Sequence, residues 1–258
     1  MLLEGKNAII YGAGGLGAGV ARTFAREGAR VFLASRSSDP LEAVARDVLA
    51  AGGRIETAAL DALDNDAVQS HVHEVVERAG SLDISFNLTS REDKQRIPLT
   101  DMAVDDFTRA PHTALTSQFL TATAAARQMA QQGFGVILSL TSGTARSPSA
   151  GMGNTGPADA GVEVLMRTLA SEMGSRGVRV VGLYTAAVAE TLTSERIGEI
   201  AGQLVDVDAV LQSVAQMTTL GRAPALAHVA DTAAFLGSDR AGDITGTVVN
   251  VTCGLVPG

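Results

Sequence analysis

One cysteine, four histidines and two tyrosines are all that the 258-residue chain holds of the side chains most often recruited as metal ligands, thiols and phenolic acids. Cys253 stands alone, which excludes an intrachain disulfide, and four scattered histidines do not make a structural zinc site. No metal is expected. Basic charge is also in deficit: 20 Lys and Arg face 28 Asp and Glu, a formal net charge of −8. Nucleic acid and anionic membrane surfaces both select basic patches, so the expected partner is a small molecule. No apolar run is long enough to span a bilayer, and the opening "MLLEGKNAIIYGAGG" has no basic region followed by a long apolar stretch. The expectation is a soluble, cytoplasmic protein. Internal repeats and low-complexity linkers are missing too, so residues 1–258 are expected to form one domain.

What is present is a hydrophobic content of 46%, ample for a core, arranged as short β-branched runs alternating with longer stretches of helical period. "NAIIY" (7–11), "RVFLA" (30–34), "RIETAA" (54–59), "DISF" (83–86), "GVILSL" (135–140), "VRVVGL" (178–183) and "TVVNV" (247–251) read as strands. Helices fit Leu16–Glu27, Pro40–Ala51, Asn65–Ala79, Val104–Gln132, Ala158–Ser175 and Leu226–Gly237. The alternation predicts an α/β fold, a doubly wound Rossmann domain with a seven-stranded parallel sheet and helices on both faces. The one long irregular stretch, Ala186–Arg222, predicts two short helices outside the sheet, placed as a substrate lid would be. Its Glu190, Glu195, Glu199, Asp206 and Asp208 alternate with Leu192, Ile197, Ile200, Leu204 and Val207, a pattern of amphipathic helices with solvated acidic faces.

Two local features point to a dinucleotide. In "IIYGAGGLGAGVARTFAREGARV", Gly12, Gly14 and Gly17 have GxGxxG spacing between a predicted strand and a predicted helix, with Leu16 inside the turn. Glycine permits the tight turn and lets backbone N–H groups approach a pyrophosphate resting on the helix N-terminus. The next strand ends in "FLASRSSD", where Ser35 and Arg36 offer a hydroxyl and a guanidinium suited to a 2′-phosphate, pointing to NADP rather than NAD. Asp61, after the third strand, is placed either to accept from the adenine amino group or to cap the helix that follows.

The order of motifs resembles the short-chain dehydrogenase/reductase family over nearly the whole chain. "LEGKNAIIYGAGGLG" is similar to its opening strand and glycine turn, "AREGARVFLASR" to its second strand, "LTSG" to its serine segment, and "VEVLMRTLASEMGSRGVRV" to the helix and strand after its active-site motif. "LGRAPALAHVADTAAFLGSDRAGDITGTVVNVTCGL" resembles its C-terminal signature. The resemblance implies an active site of Asn, Ser and Tyr-x-x-x-Lys, with Asn87 and Thr185 among the cofactor contacts. Ser142 matches the serine, but the tyrosine position holds Thr155, the lysine position Asp159 and the helix asparagine position Ala114. The family's Asn-Asn-Ala-Gly reads "NLTS", and its Pro-Gly after the sixth strand reads Thr185 and Ala186.

A phenol with an ordinary pKa near ~10 can exchange a proton with a carbonyl oxygen when a neighbouring ammonium lowers that value, whereas a threonine hydroxyl cannot. Tyr184, at the end of the sixth strand, is the candidate substitute, since Tyr11 lies at the phosphate turn; His112, in "RAPHTAL", either faces the cleft or packs a helix end. A negative Asp159 would favour a cationic acceptor and could accept from ribose hydroxyls. Three functions follow: an NADP(H)-dependent reductase of a C=N, C=C or C=O acceptor, a catalytically silent cofactor-binding scaffold or sensor, and a non-redox enzyme on the same frame. The small and apolar residues of "ALTSQFLTATAAARQMA" and "ADAGVEVLMRTLASEMG", helices that build interfaces in the family, imply a homodimer or homotetramer; were both helices to pack only on their own sheet, the chain would be a monomer with Cys253 a quiet buried thiol.

Overall fold

The computed structural model describes residues 1–202 and 206–256. Strands β1 (Asn7–Tyr11), β2 (Arg30–Ser35), β3 (Arg54–Ala59), β4 (Ile84–Asn87), β5 (Gly135–Thr141), β6 (Val178–Thr185) and β7 (Thr247–Val251) form one sheet in the order β3-β2-β1-β4-β5-β6-β7. Every pairing is parallel; Ile9, for example, lies between Phe32 of β2 and Ser85 of β4. The doubly wound α/β arrangement expected from the alternation is therefore present, with all seven strands at their expected places. The order reverses between β1 and β4, and in open parallel sheets the crevice beyond the strand ends at that reversal is where ligands bind.

Helices α1 (Gly15–Arg26), α2 (Ser38–Ala50), α3 (Asn65–Ala79), α4 (Val104–Gln132), α5 (Thr155–Met173), α6 (Ser194–Ala201), α7 (Val207–Met217) and α8 (Leu226–Gly237) complete the chain. Side chains alternate across a strand, so consecutive residues of the fully buried β1 feed two separate cores. Ile10 joins Leu33, Phe24, Val44 and Ala233 on the face covered by α1, α2 and α8. Ile9 joins Phe32, Val72, Met129 and Met166 on the face covered by α3, α4 and α5. None of the described helices is long and apolar enough to cross a membrane.

Three differences from the sequence reading matter for the site. Helix α5 starts at Thr155, three residues before the expected Ala158, because Pro157 falls within its first turn, where the missing N–H would have had no partner anyway. Positions 155 and 159 thus share one helix face near its start. The Ala186–Arg222 segment does carry two short helices, α6 capped by Thr193 and α7 by Asp206, with a 3-10 turn at Ala189–Thr191 before them. Ile197 and Val214 bury their inner faces, whereas Leu204 lies outside the described residues. Cys253 is half-buried rather than buried, because it stands beyond the end of β7 in a left-handed turn position, φ 56°.

Candidate active site

The turn between β1 and α1 and the first turn of α1 each hold a position that accepts only glycine. Gly12 has φ +102°, and a Cβ there would lie 2.5 Å from the Leu88 carbonyl oxygen. At Gly17 a Cβ would lie 1.8 Å from the Gly12 carbonyl oxygen. Gly14, by contrast, caps α1 with open space around it, no side chain among the described residues satisfies the helix's first N–H groups, and its first turn carries no acid. An uncapped, acid-free N-terminus behind a turn this close to β4 is chemically suited to a pyrophosphate. Leu16 is half-buried in that first turn, and Thr191, from the segment after β6, packs over Gly15 at 3.1 Å from where its Cβ would be.

The ends of β2 and β3 lie beside this turn. Ser35 donates its hydroxyl to the Ser37 carbonyl at 3.0 Å, and Arg36 is exposed with no ion pair among the described residues. Asp61 does not cap α3. Its carboxylate accepts from Leu63 N at 3.0 Å in a local turn, and Asp64 caps the helix by accepting from the amides of Asp66 and Ala67.

Across the reversal, at the ends of β4 and β5, the structure brings Ser142 and Asp159 together and adds a residue the sequence reading passed over. Asp159 is completely buried, and Arg91 Nη1, from the loop after β4, donates to its Oδ1. Its Oδ2 accepts from Ser142 N at 3.1 Å, Ser142 Oγ at 2.5 Å and Thr144 N at 3.2 Å. A carboxylate only accepts, so the Ser142 proton points at Asp159, and the 2.6 Å contact between Ser142 and Thr144 hydroxyls must have Thr144 as donor. Burial opposes the Arg91 charge, but Asp93 and Asp159 more than offset it and raise its pKa above the ordinary guanidinium value. Arg91 Nε lies 3.4 Å from Asp93 Oδ2, while Asp93 Oδ1 is buried without a partner among the described residues. The flanking Glu92 and Arg96 hold left-handed φ values of 62° and 65°, the kind of backbone strain that gathers at functional loops.

The expectation that Asp159 offers a free negative charge is corrected by this geometry. A guanidinium already meets that charge, and both carboxylate oxygens are engaged. The only signal in the sequence was an acid at a lysine position, which called for a cation without saying where it would come from.

The other candidate residues are placed as follows. Thr155 is buried and accepts from Gln95 Nε2 at 3.1 Å. Tyr184 is buried, its ring lies under the Arg146 guanidinium at 5.7 Å, and Arg146 is tied to the buried Glu163 at 3.1 Å. Tyr11 is not at the cleft surface: its ring is buried against His71 and its hydroxyl has no partner among the described residues, so burial pushes its pKa well up. Asn87 Oδ1 accepts from Thr89 N and Oγ1, and its amide donates to Ser117 Oγ at 3.2 Å, while Ala114 is buried one turn before that serine. Thr185 donates to the Val251 carbonyl at 3.1 Å. His112 is exposed on α4, and Arg36 and Asp61 lie across the switch point from Ser142.

Residues 12–256 match a family described as enoyl-(acyl carrier protein) reductase. The chain is 30% identical over 248 residues to the short-chain reductase protein NovJ of Streptomyces niveus, covering 96% of this chain and 92% of that protein. It is 30% identical over 261 residues to an L-rhamnose 1-dehydrogenase (NAD(P)(+)) of Azotobacter vinelandii, covering 99% and 98%. The crystal structure of levodione reductase superposes with a TM-score of 0.88 at 26% identity, covering 97% of each chain. With these matches over nearly its whole length, and with a parallel sheet reversing at β1 and β4, a glycine-rich turn after β1 and a serine at the end of β5, the chain belongs to the short-chain dehydrogenase/reductase family of nicotinamide-dependent oxidoreductases.

Proposed function

We propose that the protein is an NADP(H)-dependent oxidoreductase with a non-standard active site, transferring hydride to a small-molecule C=N, C=C or C=O acceptor. The observation that carries the cofactor reading is the turn at Gly12 and Gly17, closed to any Cβ, before an uncapped and acid-free helix N-terminus. We assign Gly14, Leu16, Asn87 and Thr185 to the same cofactor, with Ser35, Arg36 and Asp61 at its adenosine end; Arg36, exposed and without an ion pair among the described residues, supports a 2′-phosphate. Bound NADPH supplies the hydride.

The chain's own residues then restrict the acceptor. Ser142 directs its proton at Asp159, and Thr144 spends its own on Ser142, so neither hydroxyl is free to protonate an oxygen. Thr155 is too weak an acid, and Tyr184 is buried beneath Arg146. A preprotonated imine, or an activated alkene that takes its second proton from water, avoids the missing donor and precedes a ketone in expectation. The segment 186–222 acts as the substrate lid: Arg196 donates to Ser90 and Gln95 N to the Ile200 carbonyl, so α6 rests on the loop that carries Arg91. Exposed Phe119 on α4 and Val164 on α5 give the two helices an apolar outer face consistent with a homodimer or homotetramer.

The test is binding of NADPH and NADH, then turnover on matched ketone, cyclic imine and enone panels. Binding with imine or enone turnover supports the reading; failure to bind either nucleotide sinks it. A second reading, a catalytically silent scaffold or sensor, is favoured by the same inward commitment of the Ser142 proton. It predicts NADPH binding without turnover on any panel.

A further inference from the structure

We infer that Arg91, together with Asp93, grips the ribose diol of the cofactor's nicotinamide half, and that Asp159 is the positioning residue that holds Arg91 there. The inference rests on the cofactor reading above.

A dinucleotide whose pyrophosphate sits on α1, with its adenosine end at Ser35 and Arg36, must lay its other half across the β1/β4 reversal, over the ends of β4 and β5. Arg91 follows β4, and Ser142 follows β5. The guanidinium has five N–H donors in a fixed fork. One goes to Asp159 and the Nε edge faces Asp93, leaving the remaining donors without a hydrogen bond among the described residues. Asp93 Oδ1 is the reverse case, a buried acceptor with no donor among the described residues, which is a costly arrangement unless something fills it.

Spare donors beside a spare acceptor match a diol, in which each hydroxyl both accepts and donates. They do not match a phosphate: Arg91, Asp93 and Asp159 together carry one net negative charge, which would repel an anion. Glu92, between the two side chains, and Arg96 hold left-handed φ values, a conformation that gathers at functional loops. The cation at this site thus comes from the β4–α4 loop, and helix α5 supplies the anion that orients it.

The test compares whole cofactor with its adenosine half. NADPH and 2′,5′-ADP, or NADH and ADP if the wild type prefers that pair, are titrated against wild type, Arg91→Gln/Asp159→Asn and Arg91→Lys. The emission of reduced nicotinamide, excited directly, reports one ligand, and calorimetry reports the other. The double variant removes both charges together, and the lysine variant keeps the charge while losing the fork. The expected result is a loss of about tenfold or more in affinity for the dinucleotide, the scale of a charge-assisted hydrogen bond. Affinity for the adenosine half stays within about twofold. A purely structural role would weaken both ligands together, and that outcome, or no change in either, overturns the inference while leaving the cofactor reading intact. Should the double variant not fold, the lysine variant decides by the same comparison. If the wild type binds neither ligand, the cofactor reading falls and this inference with it.

Discussion

Replacing Arg91 by glutamine should destabilise the protein severely, and replacing its partner as well should restore much of the loss. Asp159 is completely buried and keeps three other donors when Arg91 is gone, but its charge and that of Asp93 then lack a counter-ion. Removing one member of a buried pair costs about 3–5 kcal/mol, chiefly because the other charge is stranded. For a chain of this size about 1 kcal/mol moves Tm by roughly 2–4 °C, so Arg91→Gln should melt roughly 6–20 °C below wild type. Arg91→Gln/Asp159→Asn buries two amides in place of two ions. It should melt higher than the single variant, with a coupling of at least about 1 kcal/mol in a double-mutant cycle. Urea unfolding followed by circular dichroism gives the free energies. If Arg91→Gln costs less than about 1 kcal/mol, the guanidinium is solvated and the site has been misjudged; if the double variant is as unstable as the sum of the singles, the two side chains do not act as a pair.

Further outcomes follow from the same geometry. Gly17→Ala forces a methyl to 1.8 Å from a backbone oxygen and should cost about 3 kcal/mol and abolish nucleotide binding, whereas Gly14→Ala, with nothing within 4 Å, should change urea stability by less than about 1 kcal/mol. Arg36→Glu should weaken NADPH by about tenfold or more and leave NADH almost unchanged; equal effects on both would remove the 2′-phosphate assignment. His71 is held below its ordinary value of 6.5 by burial, opposed by Glu74 and aided by Arg78. The unfolded chain therefore takes up this proton first as pH falls, so the contribution is present above 6.5 and is lost below it. The urea midpoint should drop between about pH 8 and about pH 5, and His71→Leu should flatten that part of the profile.

The sheet was legible because buried parallel strands are short, β-branched and punctuated, and nothing tertiary competes with that pattern. Helix starts were less so: Pro157 reads as a boundary, yet the first turn of α5 tolerates it, and this shift sets Thr155 on the helix itself. Asp61 is a possible cap from its residue type alone, but the helix starts at Asn65, which leaves the capping to Asp64, the residue just before it. The site was half legible. Ser142 and Asp159 were identified by their place in motifs, but the counter-ion of Asp159, Arg91, comes from 68 residues away in a loop with no periodicity. A long-range ion pair leaves no local signature beyond an unexplained charge.

The Arg91–Asp159 pair also bears on the history open to this chain. A single change of Asp159 to lysine, the residue that the family resemblance implies at this position, would press an ammonium against a guanidinium in a place closed to water. Changing Arg91 first would strand the carboxylate instead. Either change alone gives a poorly folded protein, so the pair is self-sealing: selection for stability alone would keep the two charges together.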